Sequence, residues 1–235
     1  MIERLKKLTT LQHLHEKITT CEKCPRLRAH CRTVAREKRK SYANDTYWGR
    51  PVPGFGDPKA RLFIFGLAPA AHGANRTGRI FTGDRSGEWL YRALHRAHFA
   101  NQPHAISLDD GLKLTDAYIS CAARCAPPEN KPTREELAAC LPYLQEELKL
   151  FKDVRVFIAL GKLAYDQLAQ ALPGVTQVTE TKRPKFQHGG EWKLADSRTV
   201  ILSYHPSQQN TFTGRLNEAM FDRIFARARE IILPI

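Results

Sequence analysis

Arg61-Leu-Phe-Ile-Phe-Gly66 runs directly into Leu67-Ala-Pro-Ala-Ala-His-Gly-Ala-Asn-Arg-Thr-Gly-Arg-Ile-Phe-Thr-Gly-Asp84. Four apolar residues closed by a glycine read as a short strand buried on both faces. The small, glycine-broken stretch after it reads as a loop leaving the end of that strand. Ala117-Tyr-Ile-Ser120, Val154-Arg-Val-Phe-Ile-Ala-Leu160 and Thr199-Val-Ile-Leu-Ser203 carry the same stamp. Between these segments, apolar residues recur every three or four positions and predict helices over about 86–98, 133–149, 162–171 and 216–231. Thr133 followed by Glu136 makes a capping box for the second of these. Pro142 is expected to break or kink that helix just after Cys140. Strands alternating with helices predict an α/β fold, a mainly parallel four-stranded sheet covered on both faces. Ligands of such sheets bind beyond the carboxyl ends of the strands. Three unusual segments lie there, 66–84, 121–132 and 204–214.

Working outward, Ile2, Leu5, Leu8, Leu11, Leu14 and Ile18 recur at helical spacing and predict an amphipathic helix ending near Cys21. Arg26 to Arg50 is basic and poor in aliphatics, and reads as loop and short helix. Without an internal repeat or a recognisable linker, the reading is one domain over 1–235, with the helix and basic cover at about 1–55. Lys and Arg number 37 against 24 Asp and Glu, a formal charge of +13. That surplus favours a polyanionic partner, foremost nucleic acid, which gains by releasing counterions. With 42% apolar and 26% charged residues, composition excludes wholesale disorder. No run approaches the roughly 18 apolar residues of a membrane span, and no continuous apolar leader is visible. The expected location is the cytoplasm, at the nucleoid, and the expected state is a monomer.

Cys21-Glu-Lys-Cys24 is a pair whose thiolates can chelate one centre, and Cys125 and Cys140 follow far along the chain. Four thiolates suit a tetrahedral zinc or a 4Fe–4S cluster, and spacing does not choose between them. Cys121, inside an apolar strand, reads as a small core residue, whereas Cys31 is able to replace one ligand of the set.

The loop 66–84 matches neither a phosphate-binding loop nor a dinucleotide fingerprint, because the required glycine and lysine spacings are missing. Its small residues let a flat ligand approach the backbone, and Phe81 is either a core aromatic or a ring to stack on one. His205 follows a strand directly, among polar residues.

Taken in order, Gly66-Leu-Ala-Pro-Ala-Ala-His-Gly, Asn75-Arg-Thr-Gly-Arg-Ile-Phe-Thr-Gly-Asp84, Arg124-Cys-Ala-Pro-Pro-Glu-Asn-Lys-Pro-Thr133 and Tyr204-His-Pro-Ser resemble a family 5 (type B) uracil-DNA glycosylase over about residues 15–232. The resemblance implies hydrolysis of the N-glycosidic bond of uracil flipped out of DNA, leaving an abasic site. It also implies a structural 4Fe–4S cluster on Cys21, Cys24, Cys125 and Cys140. Backbone groups of Gly66, Leu67 and Ala68 would line the base pocket, Phe81 would stack on the base, and His205 would donate to the uracil O2. Well-known members place a carboxylate or asparagine in the first motif to position water, where this chain has Leu67 and Ala68. Asp84 and Asn130 are then the candidates for ordering water or base, against plainer readings as an N-cap and a turn residue. The smaller side chains imply tolerance of hydroxymethyluracil, ethenocytosine and hypoxanthine, in double- or single-stranded DNA.

Pro206, Ser207, Gln208, Gln209, Asn210 and Thr211 would form a loop entering the minor groove, and Arg76, Arg79, Arg85 and Arg215 are candidates for phosphate contacts. The competing class is a non-catalytic, metal-stapled nucleic-acid-binding protein. It accounts for charge and cysteines but not for the loop 66–84.

Overall fold

The computed structural model describes residues 2–172 and 183–233, with side chains from Thr9 onward. The apolar stripe expected from Ile2, Leu5 and Leu8 therefore lies outside the described side chains. Four strands form the centre: β2 (Leu62–Gly66), β3 (Ala117–Cys121), β4 (Val156–Leu160) and β6 (Thr199–Ser203), parallel in the order β3-β2-β4-β6. Short antiparallel strands, β1 (Phe55–Gly56) and β5 (Glu191–Lys193), close the two edges, so the sheet has six strands. Neither edge strand has an apolar run to announce it. At Gly56 (φ +143°) a Cβ would come within 2.3 Å of the Ala117 carbonyl, so β1 joins the sheet only because that residue is glycine.

Every residue of the four central strands is buried. Successive side chains alternate between the faces, as the pleat demands. Ile64, Ile119, Ile158 and Ile201 meet α4 (Arg85–Arg96) and α8 (Glu218–Ile232) through Leu90, Leu94, Phe221 and Phe225. Phe63, Phe65, Phe157 and Leu202 face the other way, onto Leu144 and Leu148 of α5 (Arg134–Leu150) and Leu168 of α6 (Lys162–Ala171). Burying each such side chain contributes about 1.5–3 kcal/mol, so these two layers dominate the stability of the fold.

The capping box forms as expected. The Glu136 N–H donates to Thr133 Oγ1 at 3.3 Å and the Thr133 N–H to Glu136 Oε2 at 2.8 Å. The expected break at Pro142 does not occur, and α5 runs unbroken through it to Leu150. Proline removes a single N–H donor, and the burial of Cys140, Tyr143, Leu144, Glu147 and Leu148 holds the helix across the gap.

The basic cover is also more ordered than its composition suggests. α1 (Ile2–Thr19) is followed by α2 (Pro25–Glu37), a thirteen-residue helix with proline in its first turn. Arg26 of α2 donates twice to Glu136, both at 2.7 Å, and Arg28 is buried with Nη1 on the Gly49 carbonyl at 3.1 Å. Cationic side chains thus replace the aliphatics that would have revealed α2 in the sequence.

Candidate active site

The four central strands all point their carboxyl ends at one rim, where β2 gives way to the loop 67–84 and β6 to His205. A cleft of about 470 Å³ opens there, and Leu67, Ala68, Phe81, Asp84, Asn130 and His205 all line it. The ring centroids of Phe81 and His205 lie 5.9 Å apart, tilted by 31°. Residues 124 positions apart in the chain are thereby brought face to face.

Phe81 sits at φ +53°, in the left-handed region that costs a non-glycine residue on the order of 1–3 kcal/mol. Two glycines make room for it. A Cβ on Gly87, in the first turn of α4, would come within 1.8 Å of the Phe81 carbonyl oxygen. One on Gly66 would come within 2.9 Å of the Phe81 ring. Gly66 is therefore not a pocket wall, which corrects the expectation. It lies beneath the Phe81 ring, and its carbonyl and that of Leu67 accept from the Ala122 and Ala123 N–H groups. Leu67 and Ala68 do line the cleft.

Asp84 caps a helix, the plainer of its two readings, and also borders the cleft. Its Oδ1 accepts from the Gly87 N–H at 2.9 Å, capping α4, and its side chain also borders the cleft, with Oδ2 against Gly73. Burial holds its carboxyl above the ordinary range, opposed by the Gly87 and Ser86 N–H groups. Asn130 closes the 3₁₀ turn Pro128–Asn130 with its side chain exposed at the cleft. Glu129 and Asn130 are both left-handed, at φ +53° and +58°, the strained backbone that often marks a functional loop.

His205 is strapped from both sides. The Tyr204 N–H donates to His188 Nδ1 at 3.1 Å, and Asn210 Nδ2 donates to the His205 carbonyl at 2.8 Å. Burial drives the imidazole down to about 4 from an ordinary 6.5, so it is neutral at physiological pH. His188 lies in no recognisable motif, and nothing in the sequence points to it.

The segment after His205 is not a loop but a short helix, α7 (Gln208–Phe212), capped by Ser207 Oγ accepting from the Asn210 N–H at 3.3 Å. Ser207, Gln208 and Gln209 border the cleft, whereas Pro206 is buried and the Asn210 amide is occupied by His205. Two candidate phosphate contacts are corrected. Arg79 is buried and paired with Asp110 at 2.6 Å, and Arg76 is paired with Asp45 at 2.6 Å beneath the ring of Tyr42. Arg85 lies at the cleft with its guanidinium over Phe212, which is 66% exposed, and Arg215 is exposed beside the Tyr204 ring. An isolated phenylalanine carries no signal, so nothing in the sequence announces this aromatic–cation pair at the rim.

Thiols gather where α1, α2 and α5 meet the segment after β3, and Ala71 of the loop 67–84 packs against them. Cys125 and Cys140 are buried, and Cys21 and Cys24 half-buried. Burial pushes the Cys24 thiol up to about 11, with Cys140 and Cys21 adding to the rise. Burial also raises Cys140, where Cys21 adds, while Cys125 is raised by contact with Cys31, by burial and by Cys140. Thiols that disfavour one another's ionisation are what a cationic centre would convert into ligands. Among the described residues, no group of three His, Cys, Asp or Glu side chains is placed to hold a single metal ion. Cys31 lies against Cys125, its sulfur 3.6 Å from the Ala126 carbonyl, and Cys121 is a buried core residue as expected.

The sequence matches the profile of the Uracil DNA glycosylase superfamily over residues 53–229. It is 48% identical over 223 residues to the type-5 uracil-DNA glycosylase of Mycobacterium leprae, covering 94% of this chain and 96% of that one. Identity to the type-5 uracil-DNA glycosylase of Thermus thermophilus is 47% over 214 residues, 91% and 94% of the two chains. A type-4 uracil-DNA glycosylase of Pyrobaculum aerophilum is more distant, at 30% over 199 residues, 84% and 83% of the two. With a cleft built on these motifs and relatives of this likeness, the chain belongs to the type-5 uracil-DNA glycosylases of the uracil DNA glycosylase superfamily.

Proposed function

We propose that this chain removes uracil from DNA by hydrolysing its N-glycosidic bond, with the chemistry confined to the cleft between Phe81 and His205. The observation that carries the reading is the meeting of those two rings at the carboxyl rim of the sheet. A base stacked in a duplex is out of reach, so the nucleotide is flipped, at a cost of a few kcal/mol that is least for mismatched or damaged bases. Phe81, held rigid by Gly66 and Gly87, offers the flipped ring a stacking face. Cleavage leaves negative charge on the departing base, and the neutral His205 imidazole donates to the oxygen where that charge gathers. Asp84 takes the proton of the attacking water, with Asn130 holding water or base. The pocket wall at Leu67 and Ala68 bears no polar side chain to reject ring substituents, which supports a lesion range wider than uracil.

The rim supplies the DNA contacts: Gln208, Gln209 and Ser207 along α7, and the cations Arg85 and Arg215 for phosphates. Phe212, exposed under Arg85, suits the stack of a neighbouring base. Both double- and single-stranded DNA are substrates on this reading. The chain acts as a monomer at the nucleoid, in keeping with its charge and with the fact that no described helix is long and apolar enough to cross a membrane. Cys21, Cys24, Cys125 and Cys140 would hold a 4Fe–4S cluster, with Cys31 lying against Cys125. Bound there, the cluster supplies a covalent staple between the N-terminal helices and the sheet.

A duplex oligonucleotide with one uracil, incubated with the protein and chelator but no added metal, should yield free uracil and an abasic site. Salt-dependent DNA binding without base release would instead establish the metal-stapled binding protein. A panel of single-lesion oligonucleotides then fixes the range of bases.

Gly87→Ala is expected to destabilise the protein by about 1–3 kcal/mol, the usual cost of forcing a methyl into a filled space. It should also lower uracil release further than that loss explains, because the group displaced is the Phe81 carbonyl, 1.8 Å from the new Cβ. Thermal melting compared with single-turnover kinetics below the melting range separates the two effects.

A further inference from the structure

Arg124, the residue before Cys125, is 1% exposed and is the largest fully buried side chain among the described residues. Its Nη2 donates to Glu147 Oε2 at 2.5 Å. Glu147, 0% exposed, also accepts from Ser120 Oγ at 2.6 Å and from the Tyr118 hydroxyl at 3.1 Å, so three donors satisfy the carboxylate. The guanidinium is left half-used. Its Nε and Nη1 are out of solvent with no hydrogen-bond partner. An unsatisfied buried charged donor costs more than a neutral one, and native structures rarely retain such groups without an acceptor.

Where Arg124 stands indicates what that acceptor is. The chain leaves β3 at Cys121 and turns through Ala122 and Ala123 to Arg124 and Cys125, with the Val52 N–H donating to the Arg124 carbonyl at 2.7 Å. Arg124 lies within electrostatic reach of Cys121 and of Cys140 on α5. Glu147 lies two turns further along α5 than Cys140. The guanidinium is therefore anchored by a saturated carboxylate on the helix that carries Cys140, while its own residue adjoins Cys125. A tetrathiolate iron–sulfur group is anionic and accepts hydrogen bonds at sulfur, and such bonds tune its potential and stability.

We infer that Arg124 is a buried counter-cation of the group held by Cys21, Cys24, Cys125 and Cys140, giving its two spare donors to sulfur while Glu147 fixes the orientation of the fork. Arg124 is a positioning residue on this account and takes no part in base release. The inference rests on the cluster reading given above.

The test uses the holoprotein purified without air, with Arg124→Lys and with the double variant Arg124→Met/Glu147→Met, which removes cation and carboxylate together so that no unpaired charge is left inside. Iron content, the absorbance near about 400 nm and the midpoint potential are measured. In air with a chelator, the double variant should bleach about 10–100-fold faster than wild type, the usual effect of losing an outer-shell partner. Its midpoint potential should fall, and Arg124→Lys, which keeps the charge but not the fork, should lie between the two. Equal bleaching rates and equal potentials in iron-loaded wild type and double variant would overturn the inference and leave a trapped water as the acceptor. Should the double variant fail to fold, Arg124→Lys decides on the same readouts: wild-type bleaching and potential overturn the inference. Wild type that contains no iron when made anaerobically would refute the cluster itself, a separate failure visible before any variant is made.

Discussion

Asp84→Asn should lower uracil release by about 10²–10⁴-fold, the range for loss of a general base, while thermal stability stays level or rises. The two outcomes part because the helix cap and the proposed proton transfer draw on different properties of the Asp84 carboxyl. Its Oδ1 caps α4 by accepting the Gly87 N–H, and asparagine caps a helix as well as aspartate does. Only the ionised carboxylate can take a proton from water. Burial holds the Asp84 pKa above the ordinary carboxylate value, so the folded protein binds this proton more tightly than the unfolded chain. Above that window the ionised group opposes folding, and the amide removes that opposition. The variant therefore exchanges catalysis for stability. Asp84→Ala, by contrast, should cost about 1 kcal/mol through the lost cap. Single-turnover kinetics on a uracil duplex and a melting curve read both. An unchanged rate in Asp84→Asn would reduce Asp84 to a helix cap and pass water positioning to Asn130.

What was legible in the sequence follows from how each feature is stabilised. The four central strands are short apolar runs because both faces are covered, and burial of that kind is written residue by residue. β1 and β5 are held by edge hydrogen bonds and one glycine, which leave no pattern. α2 is held by Arg26 on Glu136 and Arg28 on a carbonyl, contacts to residues 21 and 110 positions away. The loops carrying Phe81, Asp84, Asn130 and His205 were visible as motifs, but the division of labour within them was not. Arg76 and Arg79 look like the other arginines of a basic chain until Asp45 and Asp110 are found beside them. Asn210 looks like a rim residue until its amide is found on the His205 carbonyl. Polar side chains declare their roles only through partners, and partners are set by the fold.

His205→Ala should lower uracil release by about 10²–10³-fold, roughly 3–4 kcal/mol of transition-state stabilisation, with non-specific DNA affinity nearly unchanged. The backbone should survive, because the straps on this segment reach the Tyr204 N–H and the His205 carbonyl, not the imidazole. The pH dependence identifies the form that acts. Burial holds the imidazole down at about 4, so it remains a neutral donor across about pH 5–8. Wild-type kcat/KM should then show no step at the ordinary histidine value of 6.5. Its acid limb belongs to Asp84, must be ionised to act, and should persist in His205→Ala at reduced height and vanish in Asp84→Asn. Stability carries the same signature with its own sign. The unfolded chain protonates His205 near 6.5 and the folded one only near 4, so wild type loses stability as pH falls through that window. His205→Ala should lose less over the same range. A step near 6.5 in the wild-type profile that His205→Ala abolishes would mean that the imidazole titrates freely during catalysis. The charge on the departing base would then be met by an imidazolium, and burial of His205 would no longer explain how the donor is kept neutral.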